Sequence, residues 1–232
     1  MTMQINDLSK KAHGACTPVG PVGPVGAQRQ PGLYRNHFKR LLDLLLVVLA
    51  LPIVLPLIGV LALVLGVQGG RPFYCSDRVG REGRTFRMVK LRTMVVGADE
   101  ILEDYLEANP AARQEWNDKQ KLLSDPRVTR FGRFLRRSSL DELPQVWNVL
   151  VGDMSLVGPR PMMPCQRPMY PGVAYYGLRP GMTGTWQISA RNASDFARRA
   201  DFDTGYDQDL SLSTDVVILV RTFGAVAHGT GH

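Results

Sequence analysis

Two adjacent carboxylates, Asp141 and Glu142, are the residues whose type and position best suit chemistry. They stand in the string RSSLDELPQVWNVLVGDMSLVGPRP. Ser139 followed three residues later by Glu142 forms a capping-box pattern, and Pro144 could instead take the first helical position. Either pattern predicts both carboxylates at a helix N-terminus, where the helix dipole stabilises ionised acids. An ionised Asp can act as a nucleophile or bind a hard cation, although acids in a first helical turn are also ordinary structural residues.

Arginines on stiff backbone segments follow this pair in the sequence. Arg160 stands between Pro159 and Pro161, Arg179 precedes a Pro-Gly pair, and Arg191 precedes an asparagine. A planar guanidinium group suits bidentate contact with phosphate. The residues therefore predict a site for a phosphorylated substrate, although Pro-Arg-Pro could equally be only a stiff turn.

A long apolar segment precedes all of these residues. No charged residue occurs from 44 to 67, which is long enough to cross a bilayer. Pro52 and Pro56 lie one helical turn apart inside it and predict a kink. Cytoplasmic flanks collect Lys and Arg, and both flanks here are basic, which favours a re-entrant helix over residues 33–70. A plain span with a basic outer loop and a buried helix of a soluble domain remain as alternatives. The flanking cations are Arg35, Lys39 and Arg40 before the segment, and Arg71, Arg78, Arg81, Arg84 and Arg87 after it.

The remaining elements predict one cytoplasmic domain over residues 71–232. Strings around 73–96 predict a small hairpin, and a helical pattern over 98–123 is divided at Asn109-Pro110. It offers Ile101, Tyr105, Leu106 and Trp116 as core residues. Residues 126–137 form a basic amphipathic stretch that suits an interfacial helix on anionic lipid, or a solvated face of a basic protein.

Composition bounds the class of protein without choosing the substrate. The 232 residues carry a formal net charge of +7, which fits nucleic acid, anionic lipid or phosphorylated substrates. No nucleic-acid recognition signature accompanies that charge. Three scattered cysteines argue against a disulfide framework, and the four histidines do not form a zinc pattern. Residues 1–32, with a Pro/Val/Gly repeat, read as a disordered tail.

Four strings in order resemble the bacterial sugar transferases, the monotopic polyprenyl-phosphate phosphoglycosyl transferases. They are KLRTM at 90–94, SLDELPQ at 139–145, MSLVGPRP at 154–161 and RPGMTGTWQIS at 179–189. The likeness runs from about residue 39 to the C-terminus and is strongest to the short exopolysaccharide-initiating members that load galactose or glucose phosphate. It implies an α/β, mostly helical fold: a small monotopic membrane enzyme with a proline-kinked re-entrant helix and a cytoplasmic catalytic domain.

The resemblance also implies a chemistry. Asp141 and Glu142 would work with Mg²⁺. Asp141 would attack the sugar-proximal phosphorus of a UDP-hexose, release UMP and pass the phosphosugar to undecaprenyl phosphate at the bacterial inner membrane. The residues expected around the substrate phosphates are Lys90, Arg92, Arg137, Pro159, Arg160, Pro161, Arg179 and Arg191. Assembly as a homodimer is left open, and pocket shape rather than sequence decides which sugar is used.

One departure and two rival functions stand beside this interpretation. The string SARNAS has Ala190 and Ala193 where a glycine and an acidic residue are expected, so no donor preference is carried over from the family. A glycosyltransferase could use the D-x-D string Asp201-Phe202-Asp203, although no Rossmann-like alternation precedes it. A non-catalytic membrane-surface adaptor would use the apolar segment and the basic helix only as anchors.

Overall fold

The structure is a computed structural model that describes residues 32–119, 122–189 and 196–227. Its helices are α1 (Lys39–Val67), α2 (Ala98–Ala108), α3 (Pro110–Lys119), α4 (Arg130–Arg137), α5 (Gln145–Val151), α6 (Ala174–Gly177), α7 (Thr185–Ser189), α8 (Arg199–Gln208) and α9 (Leu212–Ala227). Its strands are β1 (Phe73–Val79), β2 (Thr85–Leu91), β3 (Ser155–Val157) and β4 (Gly181–Thr183). β1 pairs with β2 antiparallel and β3 with β4 parallel. The mostly helical α/β class is thereby confirmed.

The long helix α1 packs one face on the folded body and leaves the rest of its apolar surface exposed. Val47 and Leu65 are 2% and 1% exposed, whereas Ile53 and Leu63 are 74% and 70% exposed. Tyr34–Val67 has the length and composition to cross a membrane. Exposed apolar surface on this scale is what contact with lipid requires. The helix continues through both prolines, and the re-entrant kink stays a prediction.

Both ends of α1 are held by the same folded body. Near the N-terminal end, the Arg40 guanidinium donates to the carbonyls of Val149 (2.6 Å) and Leu150 (3.0 Å). Near the C-terminal end, Arg92 Nη2 donates to the Leu65 carbonyl at 3.1 Å. Since the end contacts come from α5 and from the residue after β2, α1 lies along the body.

A buried carboxylate ties the first turns of α1 to strand β3. Asp43 is 3% exposed. It accepts hydrogen bonds from Ser155 Oγ at 2.7 Å and from the Leu156 backbone N–H at 3.2 Å. These bonds meet the requirement that a buried charge be hydrogen-bonded. They fix the orientation of α1 against the strand that leads into the Pro-Arg-Pro segment.

A second buried carboxylate joins α1 to the C-terminal helix α9. Asp215 is 1% exposed. It accepts from Tyr34 OH at 2.6 Å, Lys39 Nζ at 2.7 Å and Tyr206 OH at 2.7 Å. Lys39 and Tyr34 precede the apolar segment, so this network attaches the polar end of the membrane helix to the body.

The hairpin and the divided helix predicted from the sequence are confirmed. The hairpin pairs Phe73 with Leu91 and Val79 with Thr85, and the helical region breaks at Asn109 between α2 and α3. In α2 the prediction of Ile101 as a core residue is wrong: it is 39% exposed, and the next residue, Leu102, is buried. The basic stretch forms α4, whose Thr129 cap accepts from the Gly132 N–H at 2.8 Å. The domain bounds stay a prediction, since residues 1–31 lie outside the described part.

Replacement of Asp215 should loosen α1 from α9. Asp215→Ala leaves the Lys39 ammonium and two hydroxyls without their shared acceptor, and loss of one partner of a buried ion pair costs about 3–5 kcal/mol. We expect a fall in Tm on the order of 10 °C for purified protein in detergent. The exposed Asp209→Ala is the control and should unfold like the wild type. A Tm of Asp215→Ala equal to that of the control would show that the network contributes nothing.

Candidate active site

The Asp141–Glu142 pair lies in a separate 3-10 turn, Leu140–Glu142, between α4 and α5. Ser139 before it has a left-handed backbone, with φ 55°, and its side chain makes no capping hydrogen bond. The capping-box prediction is therefore wrong, because a capping Ser normally needs an extended backbone. Pro144 is the N-cap of α5 rather than its first helical residue, so neither carboxylate lies in the first turn of α5. A non-glycine residue with positive φ is strained, and such strain often marks functional sites.

Asp141 is the buried member of the pair. It is 8% exposed. Burial raises the pKa of its carboxyl group to about 6, and the negative charge of Glu142 adds to this rise, whereas the nearby cations Lys90 and Arg136 oppose it. Desolvation disfavours the charged form of any acid. The fold therefore holds this carboxyl group in a water-poor setting, which favours its neutral form.

Glu142 pairs with a lysine that the sequence had also singled out. Lys90 Nζ on β2 lies 2.6 Å from Glu142 Oε1, and both side chains are largely buried, with relative exposures of 19% and 24%. The hairpin thus brings a positive charge to the carboxylate pair. The structure thus brings Asp141, Glu142 and Lys90 together, and their role in catalysis stays a prediction.

Arg136 is a member of this site that the sequence analysis did not single out. Its Nε donates to Thr93 Oγ1 at 2.9 Å, and its charge acts on the Asp141 carboxyl group. Burial lowers the pKa of Arg136, and Asp141 opposes that change. In the sequence, Arg136 is one of several cations on an amphipathic stretch, and the pattern of that stretch does not show which cation lies near Asp141.

Other predicted phosphate ligands have partners in the protein backbone. Arg92 donates to α1, as described above, and Arg179 Nε donates to the Gly152 carbonyl at 3.0 Å. Arg137 at the end of α4 is exposed. Arg191 lies outside the described residues. The phosphate-binding role of these four arginines stays a prediction.

The Pro-Arg-Pro segment is fixed by close backbone packing between β3 and β4. The Gly158 N–H donates to the Thr183 carbonyl at 2.9 Å, and the Gly181 N–H donates to the Pro159 carbonyl at 2.8 Å. A Cβ atom on Gly181 would collide with the backbone of Gly158. In this arrangement the guanidinium carbon of Arg160 lies 5.9 Å from the centre of the Trp186 ring, and Pro161 continues the chain on the other side of Arg160.

Two carboxylates suit a divalent cation only if a substrate completes its shell. Among residues 32–119, 122–189 and 196–227 no cluster of three or more His, Cys, Asp or Glu could hold a metal. Magnesium commonly takes one or two carboxylates together with substrate phosphates. Asp141 and Glu142 fit that arrangement. The D-x-D string does not, because Asp201 is exposed whereas Asp203 is buried and accepts from Tyr170 OH at 2.8 Å.

Comparison with known proteins places the chain in a family. The bacterial sugar transferase family matches residues 34–229. The chain is 46% identical over 198 residues to a UDP-galactose-lipid carrier transferase of Erwinia amylovora. It is 45% identical over 196 residues to the exopolysaccharide production protein ExoY of Sinorhizobium fredii. It is 44% identical over 198 residues to the undecaprenyl-phosphate galactose phosphotransferase of Salmonella typhimurium.

This protein belongs to the bacterial sugar transferase family. The alignments cover 84%, 83% and 84% of the chain. They span 42% of the length of the Erwinia and Salmonella relatives and 87% of the Sinorhizobium one. The family match over residues 34–229 contains every described element from α1 to α9.

Asp141 should make stability depend on pH in a defined direction. The fold raises the pKa of the Asp141 carboxyl group to about 6, above its value in the unfolded chain. The protonated group therefore stabilises the fold at a pH below the pKa of the unfolded chain, and this stabilisation is lost as the pH rises through 6. In metal-free buffer, Asp141→Asn should therefore be more stable than the wild type at pH 8, by up to roughly 3 kcal/mol, and equal to it at pH 4. Thermal unfolding in detergent measures this. A carboxylate that only capped a helix would give the opposite result, a loss of stability at pH 8; the exposed Asp99→Asn is the control.

Proposed function

We propose that this protein transfers a hexose-1-phosphate, that of galactose or glucose, from a UDP-sugar to undecaprenyl phosphate and releases UMP, as the first membrane step of exopolysaccharide assembly. The names of its relatives support the acceptor and both sugars: the Salmonella protein is a galactose phosphotransferase, and one from Komagataeibacter xylinus is a glucose phosphotransferase, each acting on undecaprenyl phosphate. The observation that carries the proposal is the buried Asp141 beside the Lys90–Glu142 ion pair.

The proposed chemistry has two displacements at phosphorus. A carboxylate oxygen of Asp141 bonds to the sugar-proximal phosphorus while the bond from that phosphorus to the bridging oxygen breaks, and UMP leaves with the electron pair. A phosphate oxygen of the lipid then attacks the same phosphorus and frees Asp141. Lys90 and Arg136 lie where they can offset the negative charge that develops. Magnesium, when bound by Asp141 and Glu142, would neutralise pyrophosphate charge.

An apolar hollow on the side of α1 suits a lipid acceptor. A cavity of about 270 Å³ lies between α1, the hairpin and α5, and its lining includes Pro144, which follows Glu142 by two residues in the chain. Its walls are almost wholly apolar, as an isoprenoid chain requires. They are formed by Leu51, Leu55, Ile58, Phe73, Val89, Pro144, Val146, Trp147 and Leu150.

The position of α1 supports a monotopic arrangement. The hydrogen bonds at Arg40 and at Leu65 attach the two ends of α1 to one folded body. A helix that crossed the bilayer would place its ends in opposite aqueous phases, and only one of them could meet that body. We therefore infer that α1 dips into the inner membrane from the cytoplasmic face, kinked at Pro52 and Pro56, with the catalytic domain in the cytoplasm.

Cysteine labelling tests this topology. In a cysteine-free background, Asn36→Cys and Arg71→Cys should both resist a membrane-impermeant maleimide added to intact spheroplasts, and both should react after permeabilisation. The two residues flank α1 and are exposed. Reaction of either one from the periplasmic side would exclude the re-entrant arrangement. Gln114→Cys, on the exposed surface of α3, controls for a site in the catalytic domain.

The nucleophile is tested by replacement and by mass. Asp141→Asn should abolish turnover, because an amide oxygen is a far weaker nucleophile than a carboxylate. Wild-type protein incubated with a UDP-hexose and no lipid should gain the mass of one hexose phosphate on Asp141 and release about one UMP per site, and ping-pong kinetics should follow. Intact-protein mass spectrometry with peptide mapping measures the label. Glu142→Gln should be severely impaired as well, because Glu142 pairs with Lys90.

Asp201→Asn is the matched control, because it makes the same chemical change at an exposed site. It should keep full activity. If Asp201→Asn were inactive and the wild-type protein released UDP in place of UMP, a glycosyltransferase that uses the D-x-D string would be favoured. A fully active Asp141→Asn protein, or a label on a different residue, would contradict the proposed mechanism.

A further inference from the structure

Three arginines from distant parts of the chain lie close enough for their charges to repel one another, and two of them contact one tryptophan. Arg78 lies on β1, Arg160 in the Pro-Arg-Pro segment and Arg199 at the start of α8. The Arg199 guanidinium carbon lies 4.2 Å from the centre of the Trp186 ring, and that of Arg160 lies 5.9 Å from it. Arg199 also lies 4.4 Å from the centre of the Phe196 ring. Contact with aromatic rings holds Arg160 and Arg199 in place without using their N–H donors.

The positive charge of this arginine cluster is poorly balanced. No carboxylate of the described residues forms an ion pair with any of the three arginines. Burial and then the charge of Arg160 lower the pKa of Arg78, and the same two causes lower that of Arg199 to about 10. Asp203 opposes the change at Arg199, but it accepts from a tyrosine hydroxyl, and burial raises its own pKa to about 7. At neutral pH it is therefore only a partial counter-ion.

Two donors of the cluster are buried and unpaired. Within the described part of the chain, Nε of Arg78 and Nε of Arg199 have no hydrogen-bond partner. A buried donor that lacks an acceptor has given up its hydrogen bonds to water without replacement, and this destabilises the fold more when the donor is charged. Native proteins keep few such groups, and a missing ion or ligand is one reason for them. The unpaired donors and the unbalanced charge have one explanation in common, an anion that binds there.

We propose that Arg78, Arg160 and Arg199 form a binding site for a phosphate group. Oxygens of a phosphate dianion can accept from several guanidinium donors at once, and the charge of the anion would offset the mutual repulsion of the arginines. The same chemistry is present in a nucleotide, in an isoprenoid phosphate and in inorganic phosphate. The inference that the phosphate group belongs to a nucleotide rests on the proposed function. The inference that the three arginines bind phosphate does not.

Calorimetric titration of the full-length protein in detergent tests the site. The probes are UMP, farnesyl phosphate and inorganic phosphate, with uridine as the ligand that lacks phosphate. Arg78→Gln and Arg199→Gln should each weaken binding of at least one phosphate probe tenfold or more, and binding of uridine should not change. Arg198→Gln is the matched control, because it removes the same charge from the neighbouring, exposed residue. It should bind every probe like the wild type.

The pattern over the probes identifies the source. Weaker UMP binding alone assigns the site to the nucleotide, weaker farnesyl phosphate binding alone assigns it to the lipid, and weaker binding of all three assigns it to any phosphate. Arg78→Lys and Arg199→Lys keep the charge and fill most of the space, so they should fold even where the Gln variants do not, and they should lose part of the affinity. Unchanged affinity for all three probes in the Gln variants, or in the Lys variants where the Gln variants do not fold, would overturn the proposal.

Stability measured without ligand separates this site from a purely structural cluster. Removal of an unbalanced buried charge should leave Tm unchanged or raise it, whereas loss of a structural contact would lower it. Binding of UMP requires no transfer of sugar phosphate. The wild-type protein could therefore lack transferase activity while the Arg78 and Arg199 variants lose phosphate affinity. That result would refute the proposed function and support this inference.

Discussion

A carboxylate can be buried only where nearby cations or hydrogen-bond donors offset its charge, or where it is protonated. The burial of Asp141 therefore requires the surrounding elements to bring such groups close to it. The hairpin supplies Lys90 to the neighbouring Glu142, and α4 supplies Arg136. The two elements that carry these cations, β2 and α4, are held by one apolar cluster. In it, Leu91 of β2 and Leu135 of α4 pack with Leu61 and Leu65 of α1. The hairpin, α4 and α1 therefore cannot shift independently without changing the environment of Asp141.

A second apolar cluster explains why the long apolar helix and the candidate active site belong to one folded unit. The buried face of α1 packs on β2, α5 and the residue before β3 through Val47, Phe86, Met88, Val146 and Met154. Asp141 and Glu142 lie in the turn just before α5, and α5 packs on α1, so α5 links the carboxylates to the long apolar helix. In the proposed reaction, a soluble donor and a lipid acceptor would reach the same atoms from different sides.

Local sequence patterns predicted the elements better than they predicted the site. The hairpin and the break at Asn109 follow from short-range rules on Gly, Pro and alternation, and both are confirmed. The capping box failed because the pattern S-x-x-E does not encode the left-handed backbone of Ser139. Ile101 and Leu102 are adjacent, and a period of 3.6 residues does not decide which of two neighbours faces the core. Arg136 could not be told from the other cations of its stretch, because its role depends on packing between α4 and β2.

The arginines show most clearly what sequence alone leaves out. Arg179 and, through the family resemblance, Arg92 were predicted as phosphate ligands. Arg179 Nε donates to the Gly152 carbonyl and Arg92 Nη2 donates to the Leu65 carbonyl, whereas Arg92 Nη1 is buried with no acceptor in the described part of the chain. Arg78 drew attention only as a flanking charge, and Arg199 none at all, yet each has a buried Nε with no acceptor in the described part of the chain. A guanidinium group has five N–H donors, and whether they are already used is a property of the fold. Because donors that backbone carbonyls occupy are not available to a ligand, the arginines most suited to an external phosphate are those that the protein leaves unpaired.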